Sequence, residues 1–353
     1  MAKPATYREQ VKIENTMRHR DFFSELPPYV KEYFRAKETT TSDKTCLSFA
    51  YDLSVFFRFL QETNPTLHDK ALSEISIEDL SMLKPVDFEE FEEYLKAYKT
   101  PDNRTETNSR TGIARKMSCL RSFYDYLCKR ELLTSNPVRL VDMPKIKEKA
   151  IIQLDTDEVA ALLDYIENYG NDLTGVKLYH YQKQKYRDIA IVTLLLGTGV
   201  RVSELVGLNI ADVDFKNNGI RIIRKGGNEM FVYFGEEVEK ALKDYLELQR
   251  NGITPLSGHE DALFLSGQKK RISVDAVEKM VKKYCSAVSV KTITPHKLRS
   301  TYGTALYRET GDIYLVADVL GHADVNTTKK HYAKLSDERR RSASKAVVLR
   351  EKL

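Results

Sequence analysis

Residues 189–205 read Ile-Ala-Ile-Val-Thr-Leu-Leu-Leu-Gly-Thr-Gly-Val-Arg-Val-Ser-Glu-Leu. The run from Ile189 to Leu196 is apolar throughout, which suits a helix buried on every side. Gly197 and Gly199 punctuate its end, and Arg201 then stands where a buried helix meets a turn, with Glu204 one helical turn further on. An arginine in such a place is costly unless it is paired or used. A lone Arg-x-x-Glu is more often a surface ion pair than a functional group, so the reading depends on what accompanies it.

Upstream, Asp155-Thr-Asp-Glu158 has the spacing of a helix-capping box ahead of Val159, Leu162, Leu163 and Ile166. The polar, tyrosine-rich residues 168–185 read as a loop or insertion. Downstream, Asn217-Asn-Gly219 signals a turn before the alternating strand Ile220–Ile223. Lys225-Gly-Gly-Asn228 signals another before residues 229–234, which predicts one β-hairpin with Lys225 at its tip. Everything beyond it reads as helical. In Thr294-Pro-His296-Lys-Leu-Arg299, His296 and Arg299 share a helix face just after a proline suited to a first turn. Leu320-Gly-His322 is followed ten residues later by Tyr332, in a Lys-rich stretch. A hairpin lysine, a capping histidine and a packed tyrosine are each unremarkable alone.

The N-terminal part has a different character. Leu47, Tyr51, Phe56 and Leu60 recur at helical spacing from Asp43 onward. Ile113, Met117, Leu120, Tyr124 and Leu127 do so between residues 108 and 130, with Arg110, Arg115, Lys116 and Arg121 off that stripe. Acidic helical material at 86–98 lies between them. Residues 51–100 carry 5 basic and 11 acidic side chains, whereas residues 101–150 carry 11 basic and 6 acidic, so the formal charge of +5 conceals a segregated distribution. Met143-Pro-Lys-Ile-Lys-Glu-Lys-Ala150 reads as an extended linker. The predicted organisation is an N-terminal extension (1–27), a helical domain (28–142), a linker (143–152), a second domain (153–336) and a tail (337–353).

Composition closes off several classes. The 353 residues, 42% of them hydrophobic, are enough for two cores. No apolar run approaches the ~20 residues of a membrane span, and the N-terminus lacks a signal-peptide core, so a cytoplasmic protein with no membrane partner is expected. The four cysteines, Cys46, Cys119, Cys128 and Cys285, form no Cys-x-x-Cys pair, which argues against a disulfide framework or a zinc ribbon.

Taken in chain order, Arg201, Lys225, His296, Arg299, His322 and Tyr332 are two arginines, a lysine, two histidines and a hydroxyl nucleophile. Charge that builds on the non-bridging oxygens of a phosphodiester in its transition state calls for positioned donors of these kinds. The ordered boxes G-T-G-V-R201-V-S-E204-L, R-K225-G-G, T-P-H296-K-L-R299 and L-G-H322-x5-T328-x3-Y332 resemble those of the tyrosine recombinase, or phage integrase, family. The likeness spans about residues 28 to 335. The segment between the Asp155 helix and Tyr186 is similar to that of the single-protein Xer recombinases of the XerS type. Ser300 departs from the histidine that many members carry after the second arginine.

The resemblance implies a mainly α fold: a SAM-like core-binding domain plus a mostly α-helical catalytic domain with a small β-hairpin. It implies that Tyr332 attacks the scissile phosphate to give a 3′-phosphotyrosyl enzyme, and that Arg201 and Arg299 clamp the non-bridging oxygens, with Glu204 orienting Arg201. Lys225 is then the general acid for the leaving 5′-oxygen, His296 the acid/base partner of Tyr332, and His322 a phosphate donor. No metal or other cofactor is required. The implied partners are a duplex DNA recombination site clamped between the two domains, with Arg110, Arg115, Lys116 and Arg121 contacting DNA; a homo-tetramer on that DNA, with residues 337–353 docking either in trans on a neighbouring protomer or in cis on their own domain; and an accessory protein such as a DNA translocase. The expected role is resolution of chromosome dimers. The alternatives are integration or excision of a mobile element by the same chemistry, and a non-catalytic DNA-binding relative. Metal-dependent hydrolysis is disfavoured, because no His-x-x-x-His or Asp-x-Asp cluster accompanies the boxes.

Overall fold

The computed structural model describes residues 7–146, 152–224, 227–321 and Val325. Two compact units divide the chain after Lys149.

In the first unit, α1 (Tyr7–Glu25) and α2 (Pro28–Lys37) precede α3 (Asp43–Thr63), which starts at Ser42, whose hydroxyl accepts from the Thr45 N–H. Short helices α4 (Ile77–Ser81) and α5 (Pro85–Tyr94) follow, then a two-stranded ribbon of β1 (Tyr98–Lys99) and β2 (Thr105–Glu106), and α6 (Arg110–Lys129). The predicted apolar stripes become the core. Phe56 on α3 meets Phe88 and Phe91 on α5 at ring-centroid distances of 5.7 and 5.2 Å, and Phe123 and Tyr124 of α6 are fully buried in the same cluster. Two features differ from the sequence expectation. The core reaches back to Leu26, and α1 packs on α3 with Glu25 on Arg58 at 3.2 Å, so the described part of the expected extension, from Tyr7 onward, packs with this unit. The β1–β2 ribbon, whose turn holds Asn103 at φ 60°, has strands of two residues, too short for alternation to register in the sequence.

The second unit is built around α9 (Lys185–Thr198), reached through α7 (Thr156–Asn168) and α8 (Gly175–Gln182). α9 is buried nearly all round by α7, by α11 (Glu236–Leu248) and by α13 (Pro295–Thr310), as its unbroken apolar run requires. The stretch expected to be a loop at 168–185 contains α8. Its one buried residue, Tyr181, sends its hydroxyl to the carbonyls of Ile166 and Glu167 and fixes the helix by a single apolar anchor, which leaves no periodic stripe to read. After α10 (Val202–Gly207) come β3 (Val213–Asp214), β4 (Gly219–Ile223) and β5 (Glu229–Tyr233), an antiparallel sheet of order β3-β4-β5 in which Gly219 faces Tyr233 and Ile223 faces Glu229. The hairpin is therefore present, with a third, two-residue strand beside it. Beyond α11 lie α12 (Val274–Val288), α13 and α14 (Ile313–Leu320).

Candidate active site

The site starts from the end of α9. Gly199 caps the helix in the left-handed region at φ 62°, and a Cβ there would lie 2.4 Å from the Tyr302 ring and 3.0 Å from Leu320. Only glycine meets both demands. Ending the helix this way leaves the Gly199 carbonyl without an intrahelical donor. Arg299, in the second turn of α13 and only 4% exposed, supplies one: its Nη1 donates to Gly199 O, and its Nη2 to Leu320 O at the end of α14. A buried guanidinium is thus held by carbonyl oxygens that need donors of their own.

Arg201 stands just before α10. The Glu204 carboxylate accepts the Arg201 backbone N–H and its Nη1, both at 2.8 Å, and lies buried while the Arg201 side chain remains 37% exposed. Arg201 Nη2 reaches Gly321 O at 2.9 Å. A third guanidinium, that of Arg224 at the end of β4, donates to Asp318 O at 3.0 Å and Val319 O at 2.5 Å. The last carbonyls of α14, at residues 318 to 321, are therefore divided among three arginines. These lie among the acceptors at a helix C-terminus, of which Asp318 O also accepts the Gly321 N–H at 2.8 Å, and they carry the negative end of the helix dipole. Mutual repulsion among the cations is offset there by Glu204 and by those carbonyls. Burial pulls the Arg224 guanidinium below its ordinary pKa; Glu204 opposes that pull and Arg201 adds to it.

His296 lies in the first turn of α13, exposed and one helical turn before Arg299. The structure therefore brings Arg201, Glu204 and Arg299 to the C-terminal end of α14 and places His296 on the helix that carries Arg299. Lys225, His322 and Tyr332, and the tail from 337 to 353, lie outside the described residues. Arg224 is the residue that sequence reasoning missed. Its signal was its position, one residue before a candidate lysine and at the end of a strand.

The proposed DNA contacts of the first unit fare unevenly. Arg110 is exposed at the start of α6, and Arg115 is exposed but donates to Asp52 and to Ser48 Oγ. Lys116 corrects the expectation that it lies on the polar face: it is 2% exposed, its ammonium 2.9 Å from the buried Asp52 carboxylate and 4.9 Å from the centre of the Tyr51 ring. Arg121 Nε donates to Val138 O at 3.1 Å and its Nη2 to Val141 O, so it closes the turn that follows α6. Among the described residues no group of three or more His, Cys, Asp or Glu side chains gathers as a metal site, and no helix is long and apolar enough to cross a membrane.

The family model described as "Phage integrase family" matches residues 153–339, and that described as "Phage integrase, N-terminal SAM-like domain" matches residues 30–131. The chain belongs to the phage integrase family. Members of this family cleave and rejoin DNA. A tyrosine recombinase XerC from Caldanaerobacter subterraneus subsp. tengcongensis is 34% identical to this integrase-family chain over 328 residues, covering 90% of it and 86% of the relative. A tyrosine recombinase XerS from Streptococcus mutans is 31% identical over 342 residues, covering 91% and 95%. Among solved structures, the Tn1549 transposon integrase in complex with circular intermediate DNA superposes with a TM-score of 0.61 at 22% identity, covering 86% of this chain and 94% of that one. The XerH recombinase bound to its difH substrate also gives 0.61, at 19% identity, covering 88% and 83%. Both share the fold of this recombinase.

Proposed function

We propose that this recombinase exchanges strands at a specific duplex DNA site through a 3′-phosphotyrosyl intermediate, with Tyr332 as nucleophile. The observation that carries the reading is the convergence of Arg201 and Arg299 on the end of α14, two residues before His322 in the case of Leu320 and one in the case of Gly321. Two charges held by fixed acceptors form a preorganised site for a phosphate. Arg201 offers its exposed edge to the non-bridging oxygens, a role for a planar fork rather than a lysine, and Glu204 keeps that fork in register. Arg299 adds the second charge from below. His322 donates to the same oxygens. The Tyr332 oxygen forms a bond to phosphorus as the P–O5′ bond breaks; the phenolic proton passes to His296, and Lys225 protonates the departing 5′-oxygen. Attack by a 5′-hydroxyl from the partner duplex reverses these transfers and joins the strands, so the energy of the phosphodiester is kept in the tyrosyl ester. This chemistry engages two duplexes, which calls for four protomers assembled on DNA. Full-length similarity to XerS-type relatives supports resolution of chromosome dimers as the role, with cytoplasmic action on the chromosome and an accessory DNA translocase as a partner.

The test uses nicked suicide duplexes built from candidate recombination sites of the source genome, incubated with the full chain in EDTA. The wild type is expected to form a denaturant-resistant, protease-sensitive protein–DNA adduct, and Tyr332→Phe to form none. A duplex that is bound but never captured would move the assignment to a DNA-binding relative without chemistry.

A further inference from the structure

We propose that Arg224 is a positioning residue that fastens the foot of the β4–β5 hairpin to the C-terminal turn of α14 and so supports proton delivery by Lys225 to the leaving 5′-oxygen. The inference rests on the reading of Lys225 as general acid. The fastening itself is made wholly of described residues. The Arg224 backbone N–H donates to Asn228 O at 2.8 Å, and Gly227 N–H returns to Arg224 O at 3.1 Å, so the backbone of Arg224 pairs the foot of β4 with the residues that lead into β5. Its side chain leaves the hairpin and grips Asp318 O and Val319 O.

Gly321 makes the grip possible. A Cβ at that position would stand 1.9 Å from Arg224 Nη1 and 2.3 Å from its Cζ, and Gly321 itself is left-handed at φ 62°. Arg224 Nε is buried without a hydrogen-bond partner, a penalty that a decorative arginine escapes by turning to solvent. The side chain stays because its two Nη groups join the foot of β4 to the C-terminal turn of α14. In the chain, Lys225 follows Arg224 directly and His322 follows Gly321 directly. A lysine at 224 has one compact head and spans two successive carbonyls poorly.

Loss of Arg224 leaves Arg201, Glu204 and Arg299 with the partners described above, so the phosphate clamp survives while delivery of the proton to the leaving oxygen falters. The test is single-turnover cleavage by the full chain of two nicked duplexes, one with an ordinary scissile phosphate and one with a 5′-bridging phosphorothiolate. In the second the P–S bond breaks to release a thiolate that needs no proton. Arg224→Ala and Arg224→Lys are expected to slow the ordinary substrate about tenfold or more and to cleave the phosphorothiolate within about twofold of wild type, the pattern expected also of Lys225→Ala. Arg224→Lys keeps the charge and decides the matter if Arg224→Ala does not fold. Equal slowing on both substrates by the Arg224 variants, while Lys225→Ala is rescued, overturns the proposal. Failure of sulfur to rescue Lys225→Ala instead overturns the assignment of Lys225, a distinct result.

Discussion

At the scale of single residues, the site depends on positions where chemistry and backbone are coupled. Gly199 is the sharpest case: its left-handed φ of 62° ends α9, turns its carbonyl toward Arg299, and leaves room for Tyr302 and Leu320. Gly199→Ala adds a methyl in a backbone region that L residues disfavour and drives it to 2.4 Å from an aromatic ring. The expected outcome is a loss of about 2–3 kcal/mol in the urea unfolding free energy, combining left-handed strain with overpacking. Cleavage is expected to fall beyond what that loss explains, because Arg299 loses an anchor. A variant as stable as wild type would show that Tyr302 yields readily and that this end of α9 is softer than its packing indicates.

At the scale of elements, long periodic helices and the hairpin were legible in the sequence because their signals are repeated. α3 and α6 each carry several apolar residues at helical spacing, α9 is an unbroken apolar run, and Asn-Gly and Lys-Gly-Gly mark the turns around β4 and β5. The site boxes stood out only as an ordered set, through their resemblance to the tyrosine recombinase family, since each alone reads as an ion pair, a solvated lysine or a cap. What escaped was set by tertiary contact. α8 is held by one tyrosine, and β1 and β2 have two residues each. Lys116 looked polar by pattern but is drawn inward by the buried Asp52 carboxylate. The capping signal at Asp155 likewise understated its element. The Glu158 carboxylate accepts the Asp155 N–H at 2.8 Å, the Ser289 hydroxyl at 2.7 Å and the Lys291 ammonium at 2.5 Å, which ties the start of α7 to the residues that follow α12. Lys291 foremost, then the Asp155 N–H and the Ser289 hydroxyl, pull the Glu158 carboxyl from 4.5 down to about 2. A carboxyl depressed in the folded state stabilises the protein above its unfolded value, and that contribution is lost as pH falls from about 4.5 toward about 2. Glu158→Gln is therefore expected to be less stable than wild type at pH 7 by about 1 kcal/mol, given the partial exposure of the cluster. The gap closes as the two proteins are compared by urea unfolding at successively lower pH through that window. A gap that stays constant down to pH 2.5 would mean that the charge on Glu158 contributes nothing.

At the scale of the whole molecule, a net charge of +5 on 353 residues gives little general attraction to DNA, so binding must come from placed cations. The first unit separates cations that can meet a phosphate from cations already spent. Arg110 is exposed at the start of α6, whereas the Lys116 charge is neutralised inside by Asp52. Each phosphate contact releases condensed counterions, so the logarithm of affinity falls linearly with the logarithm of salt concentration, with a slope near −0.9 per contact. For the full chain on its cognate duplex, Arg110→Ala is expected to make that slope shallower by about one and to weaken binding at low salt, with no change in stability beyond about 0.5 kcal/mol. Lys116→Met should do the reverse. Its slope stays that of wild type, because the ammonium never reaches solvent, while the stranded Asp52, left with Arg115 alone, costs stability measured by urea unfolding. Titrations followed by fluorescence anisotropy across 50 to about 300 mM salt separate the two. Equal slopes for wild type and Arg110→Ala would remove Arg110 from the DNA surface, and a shallower slope for Lys116→Met would mean that DNA binding draws Lys116 out of the core.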